Sequence, residues 1–410
     1  MIYDERSPKY VDHLNKTFYF LEDGRRFIVR EETSTGYMHL YLYGIGQGVL
    51  HPITQGEWEV TDFVGLRGDK VYYISTESSP LKRDLYRVGL DGKHKERLTP
   101  GDGYYSIYPS ADLSYYICEG GDSSAPGRTD VFNAAGKRVR TLYDNAPLKE
   151  ALAEAGLPVR EFFTFTTERG DELNGYMLKP LDFDPAKRYP VLLTQYSGPG
   201  SQQVAEGWGP DWEDALVTHG YIVVCVDPRG TGYRGEEFKK LTYGNLGRLE
   251  VEDQISTARY MARQSYVDPA RIGIYGWSYG GFMALGCAFR GEGLFKMAIA
   301  VAPVTSWRYY DSIYTENFNG LPDDYPKGYD DNSPVNLAHL FRDDSTRLLI
   351  VHGTADDNVH FQNTMEMARA LNKLGKQYDM MVYPDQNHSM MPDDMIHVRE
   401  KMLRYTLENL

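Results

Sequence analysis

A serine hydroxyl becomes a nucleophile when a base takes its proton, and an imidazole serves as that base when a carboxylate fixes its tautomer. The chain carries candidates for all three roles in its second half. Ser278 lies in Gly276-Trp277-Ser278-Tyr279-Gly280-Gly281. Residues 271–275 ahead of it are β-branched and aromatic, as in a buried strand, and residues 282–289 behind it read as an apolar helix. Strand, G-x-S-x-G and helix in that order describe a nucleophile elbow, a turn tight enough to lift the hydroxyl clear of both elements. Gly276 and Gly280 are expected there because a Cβ at either position collides across the turn.

An elbow of this kind requires an acid and then a histidine further along the chain. Residues 347–351 form a second buried-type strand running into His352-Gly353-Thr354-Ala355-Asp356-Asp357-Asn358-Val359. A carboxylate at the carboxyl end of a strand is where an open α/β sheet places its chemistry. Asp356 and Asp357 both occupy that position. The strand at 378–383 leads into Pro384-Asp385-Gln386-Asn387-His388, so His388 is the expected general base. His352 ends a strand and His360 opens a helix, and both are expected to be structural. Acyl transfer also needs donors for the developing oxyanion. The backbone N–H of Tyr279 supplies one. The hydroxyl of Tyr196, at the end of the strand 191–194, is the candidate for the second. Trp307, Tyr310 and Tyr314 are spaced to share one face of a helix and present an apolar aromatic surface.

These residues must be held by a sheet, and from Pro190 the sequence alternates strand and helix as a doubly wound parallel sheet requires. Two antiparallel strands, 161–165 and 173–178, precede it, after a helix near 147–156. The first third is different. Short strands recur in pairs, with Leu40, Leu85 and Val131 spaced about 45 residues apart, the period of a four-stranded propeller blade. About three blades fit, fewer than a closed ring needs, so the chain reads as a fragment or as an arc closed by self-association. The expected division is a partial β-propeller over 1–145, a linker helix over 146–160 and a catalytic domain over 161–410.

Composition narrows the partners. With 41% hydrophobic and 25% charged residues the chain is globular, and a net charge of −14 disfavours nucleic acid or an anionic membrane as the main partner. No apolar run is long enough to span a membrane. The opening residues lack the apolar core of a signal peptide, so as written the chain reads as cytoplasmic, or as periplasmic or secreted if a leader precedes it. Cys118, Cys225 and Cys287 sit in apolar contexts and are expected to be buried free thiols. Neither zinc spacing nor H-E-x-x-H is present, and neither metal nor cofactor is expected.

The motifs G-W-S-Y-G-G, D-P-R-G-T-G-Y-R-G (227–235), H-G-T-A-D-D-N-V-H and the Y-x-G-P-G loop at Tyr196 together resemble the dipeptidyl peptidase IV branch of the prolyl oligopeptidase family. The segment 307–316 resembles it as well. The likeness is dense from about residue 160 and weaker across the blades. It implies an α/β-hydrolase domain behind a β-propeller, and a serine exopeptidase removing dipeptides whose second residue is proline or alanine. By that resemblance Asp356 is the triad acid and Tyr196 gives the oxyanion hydroxyl. Tyr279, Val304, Trp307, Tyr310, Tyr314 and Val359 wall the proline pocket, and Asn358 holds a substrate carbonyl. Relatives are commonly exported homodimers. One departure stands out: the tryptophan- or tyrosine-rich segment ending in a glutamate pair, which grips the substrate ammonium, is not found. Glu31-Glu32 is expected to be a solvated hairpin tip, so weak or broadened dipeptide cleavage, of an esterase or acylaminoacyl-peptidase kind, is the alternative expectation. A non-catalytic propeller binding protein is disfavoured because every expected catalytic position is filled.

Overall fold

The computed structural model describes residues 1–12, 16–156 and 158–410. Two compact units are present. One takes 1–157 together with 205–209 and 232–240, and the other takes 158–204, 210–231 and 241–410. Position 157, inside the interval expected as a linker, lies outside the described residues.

The first unit holds three four-stranded antiparallel meanders. They are Thr17–Phe20, Arg26–Glu31, His39–Gly44 and Gly48–Pro52 (β1–β4), then Val60–Arg67, Lys70–Ser75, Asp84–Gly89 and Glu96–Arg97 (β5–β8), then Tyr104–Pro109, Tyr115–Gly121, Arg128–Asn133 and Arg138–Tyr143 (β9–β12). Leu40, Leu85 and Val131 fall on β3, β7 and β11, the third strand of each sheet, so the 45-residue period is one sheet per repeat. Side chains of the inner strands face the next sheet, whereas β1, β4, β8 and β12 are mostly exposed. Ile28, Leu40 and Leu42 pack with Val71, Tyr73 and Val88, and Tyr72, Ile74 and Leu85 pack with Tyr105, Tyr116 and Phe132. A sheet whose two faces pack on neighbours in this way is stabilised by stacking rather than by a core of its own. Helix α1, Ala146–Ala155, follows.

Glu31 and Glu32 differ from expectation. Both are buried, not solvated. Glu31 accepts hydrogen bonds from the Thr33 and Ser34 hydroxyls at 2.7 and 2.5 Å. Glu32 is 2.5 Å from Lys239 and 2.8 Å from Lys240, on a segment that joins this unit from far along the sequence. Glu32, with Asp12 and Glu236, therefore neutralises two buried ammonium groups, while Glu31 is satisfied within its own turn. Loop composition points to a solvated turn, and only the tertiary arrival of two lysines makes burial tolerable.

The second unit is an eight-stranded sheet in the order β13-β14-β16-β15-β17-β18-β19-β20. Its elements are Glu161–Thr166 (β13), Glu172–Leu178 (β14), Tyr189–Thr194 (β15), Asp214–Thr218 (α2), Ile222–Asp227 (β16), Leu249–Ala262 (α4), Val267–Trp277 (β17), Tyr279–Arg290 (α5) and Met297–Val301 (β18), with Glu236–Lys239 (α3) in the segment that belongs to the first unit. Ser312–Asn319 (α6), Pro326–Asp330 (α7), Pro334–Leu337 (α8), Arg347–Gly353 (β19), Gln362–Lys373 (α9), Asp379–Tyr383 (β20) and Pro392–Asn409 (α10) complete it. β13 and β14 are antiparallel and β15 to β20 run parallel. Every residue of β15, β16 and β18 is buried, because a parallel sheet is covered on both faces. The strand order reverses at β15, with β16 on one side and β17 on the other, and such switch points open a crevice at the carboxyl ends of the strands. All three cysteines are buried and free, and no cluster of potential metal ligands occurs among the described residues.

Candidate active site

Ser278 links β17 to α5 with φ 63° and ψ −118°, a left-handed conformation that costs a non-glycine residue about 1–3 kcal/mol. Its surroundings impose it. A Cβ on Gly276 would stand 2.2 Å from the carbonyl oxygen of Gly280, and one on Gly280 would stand 2.5 Å from that of Gln195. The elbow is thus closed by its own backbone on one side and by the loop after β15 on the other. Gln195 completes the clasp, its amide donating to the carbonyls of Gly280 at 2.8 Å and Tyr275 at 3.3 Å. Strain gathers at the carboxyl ends of the parallel strands: Ser197 after β15, Ser278 after β17, Ala302 after β18 and Asp385 after β20 all have positive φ. Such residues persist only where packing over-determines them.

The acid and the histidine meet. His388 Nδ1 and Asp356 Oδ2 are 2.7 Å apart, and the Asp356 side chain is fully buried while that of His388 is about one-fifth exposed. Because the partner is a carboxylate, Nδ1 carries the proton and Nε2 keeps the lone pair that a general base needs. Burial works against the charge on Asp356, but hydrogen bonds from His352 and His388 outweigh it and hold the carboxyl well below the usual carboxylate range. The N–H groups of Asn358 and Val359 also donate to its Oδ1, at 3.0 and 2.9 Å. Asp357 is exposed, as adjacency in a turn allows only one of the two to face inward. Gly353 brings the two loops together. A Cβ there would lie 2.3 Å from the carbonyl oxygen of Gln386, and Ala355 donates to that same oxygen at 3.0 Å.

His352 does more than fill the core. Its Nε2 is 3.1 Å from Asp356 Oδ2 and 2.9 Å from the Val359 carbonyl, two acceptors, so Nε2 is protonated and Nδ1 accepts from the Thr364 hydroxyl at 2.7 Å. Trp277 donates from Nε1 to the His388 carbonyl at 3.1 Å, tying the histidine loop to the elbow. Sequence order alone leaves both residues without a role. The signal that could have found them is their place, one beside the serine and one at the end of the acid's strand.

Ser278, His388, Tyr196, Tyr310 and Asn358 line one cavity of about 520 Å³. Asp211, Trp212, Met395, Arg399 and Met402 line it as well. Tyr279 opens α5, so its N–H has no acceptor within the helix and the positive end of the helix dipole lies at the serine. Burial raises the Tyr196 hydroxyl above its ordinary value and keeps it a donor. The aromatic group departs from expectation in one respect, for Trp307, Tyr310 and Tyr314 do not lie on one helix. A 3₁₀ turn over Trp307–Tyr309 ends at Tyr310, and α6 begins afresh with Asp311 as its cap, accepting from the Tyr314 N–H at 2.8 Å. The rings still meet: Trp307 stacks on Tyr314 at 6.0 Å, and Tyr310 stands edge-on to both. Tyr310 donates to Asn358 Oδ1 at 2.7 Å. Val304, Trp307, Tyr279 and Val359 are buried.

Comparison with known proteins agrees over both units. A sequence model of the prolyl oligopeptidase family matches residues 208–410, and one of the dipeptidyl peptidase IV N-terminal region matches residues 1–126. A probable dipeptidyl-aminopeptidase B of Aspergillus niger is 41% identical over 366 residues, which cover 87% of this chain and 40% of that protein. The Pyrenophora teres f. teres protein of the same description is 40% identical over 367 residues, covering 87% and 40%. The crystal structure of Porphyromonas gingivalis dipeptidyl peptidase 4 superposes with a TM-score of 0.94 at 41% identity, over 98% of this chain and 57% of that one. A putative dipeptidyl aminopeptidase IV from Bacteroides ovatus gives 0.89 at 28%, over 98% and 60%. The chain spans about 40% of the length of the curated relatives it matches.

Proposed function

The chain belongs to the dipeptidyl peptidase IV branch of the prolyl oligopeptidase family, and from that membership we propose that it is a serine peptidase releasing dipeptides from free N-termini. The residue second from the N-terminus is proline or alanine. Ser278 attacks the scissile carbonyl, His388 Nε2 takes the serine proton and later delivers it to the leaving amine, and Asp356 holds the imidazole and offsets its transient charge. The Tyr279 N–H and the Tyr196 hydroxyl receive the oxyanion. Tyr279, Val304, Trp307, Tyr310, Tyr314 and Val359 form the pocket for the pyrrolidine ring, which has no donor of its own to satisfy and fits apolar aromatic walls. Asn358, already hydrogen-bonded to Tyr310, receives the substrate backbone. We also propose the homodimer as the working form.

One observation carries this reading: the 2.7 Å contact between His388 and Asp356 beside an elbow whose serine lines the same cavity. The relatives' descriptions do not favour the broader acyl hydrolase. Glu31 and Glu32, engaged internally, are not assigned to ammonium binding. The test is to compare X-Pro-anilide substrates with a free amine against their N-acetylated forms, with S278A as the blank. A marked preference for the free amine is expected. Equal or better cleavage of the acetylated substrate overturns the dipeptidyl assignment, and turnover surviving in S278A overturns the nucleophile.

A further inference from the structure

Glu250 has no part in the steps above. It stands in the first turn of α4 and is fully buried. Tyr279 donates its hydroxyl to Glu250 Oε1 at 2.6 Å, and the Gly247 N–H reaches Oε1 and Oε2 at 3.0 and 3.1 Å. Tyr279 is the residue after the nucleophile. Its ring lies among Phe282, Trp307 and Tyr196, with centroids 5.3, 5.4 and 6.0 Å away. Glu250 is thus joined through one side chain to the backbone at the elbow.

The contacts suit a carboxylate. An ionised group accepts all three hydrogen bonds, whereas a protonated one must turn its own proton toward one of the donors and give up that contact. Charged and titratable groups stand near it. Asp253 lies one turn along α4, paired with Arg229 at 2.6 Å, and Tyr196 and Tyr314 lie beyond the Tyr279 ring. Burial opposes ionisation and, against the pull of the Tyr279 and Gly247 hydrogen bonds, pushes Glu250 up to about 7.

We propose that Glu250 is a positioning residue for acyl transfer: by holding the Tyr279 hydroxyl it fixes the backbone N–H offered to the oxyanion, and the site is fully competent only while Glu250 is ionised. The inference rests on Ser278 being the nucleophile and on Tyr279 being its oxyanion donor. It does not depend on which peptide is cleaved.

The test follows the rate of Ser278 modification by a fluorophosphonate from pH 5 to 9 in the wild type, E250Q and Y279F. In the wild type the His388 imidazole must be free to accept the proton and ionisation of Glu250 adds about a further tenfold, so the acid limb of log rate against pH rises above a slope of 1 over about one pH unit. E250Q carries no ionisable group, and Y279F severs the link while keeping the ring. Both are expected to show a slope of 1 and a rate roughly tenfold lower at pH 8, the order expected for a slightly misplaced donor. An acid limb unchanged in both variants overturns the inference, whether the rate is unchanged or falls equally at every pH as a purely structural role predicts. If E250Q does not fold, Y279F decides. Labelling that persists in S278A refutes the nucleophile reading and this inference together, whereas an unchanged acid limb refutes the inference alone.

Discussion

Replacing Asp356 by asparagine tests the site at its most buried point. The carboxylate receives His388 Nδ1–H at 2.7 Å, His352 Nε2–H at 3.1 Å and two backbone N–H groups, with no exposed side-chain surface. Asparagine keeps the volume but offers only one acceptor oxygen. If that oxygen serves the backbone N–H groups, the amide NH₂ faces two imidazole N–H groups, and His388 is driven to the tautomer that has already spent its basic nitrogen. Breaking a buried charged contact from one side costs about 3–5 kcal/mol. Because the catalytic imidazolium forms only during the reaction, most of that loss falls on the barrier. At 1.36 kcal/mol per tenfold, turnover should drop by roughly 10²–10⁴ with little change in KM. The assay is steady-state hydrolysis of an X-Pro-anilide, with D357N as control. Asp357 is exposed, and its substitution should change turnover less than about threefold. D356N within tenfold of the wild type, or D357N the worse of the two, would refute the assignment of the acid.

Three further outcomes follow from particular contacts. S278G abolishes fluorophosphonate labelling yet should unfold at higher urea than S278A, because glycine relieves the φ of 63° by more than the ~0.4–1 kcal/mol it returns to the unfolded chain; a less stable S278G contradicts the strain. Glu213, buried and accepting from the Thr194 hydroxyl at 2.7 Å, is pushed by burial up to about 7. Its folded value lies above its unfolded one, so its contribution is complete below about pH 4.5 and is lost as pH rises through about 7; denaturant titrations at pH 5 and 8 should show that loss shrinking in E213Q by up to ~3 kcal/mol, and equal losses in both proteins reject it. E32A removes the carboxylate shared by Lys239 and Lys240, which keep Asp12 and Glu236 as partners, and thermal unfolding should report about 1.5–3 kcal/mol lost; a cost below ~0.5 kcal/mol means the shared carboxylate is dispensable.

Local sequence determined the elements and their order. The alternation of apolar strand and helix dictates a covered parallel sheet, the 45-residue repeat dictates four-stranded sheets, and the residues flanking Ser278 dictate an elbow, because each depends on side-chain period and on backbone conformations that few residues tolerate. The same local pattern leaves Asp356 and Asp357 equivalent until burial separates them, gives no role to His352, Trp277 or Glu250, and places Glu31 and Glu32 in water. It also suggests one helix through Trp307 and Tyr314, where Asp311 instead starts a new one and the rings meet by a different route. Those outcomes depend on partners distant in the chain. Whether a carboxylate is buried against a histidine, a tyrosine hydroxyl or two lysines is decided by which loops the sheet order brings to its carboxyl edge and which segments return to pack on the blades, and no window of neighbouring residues encodes that.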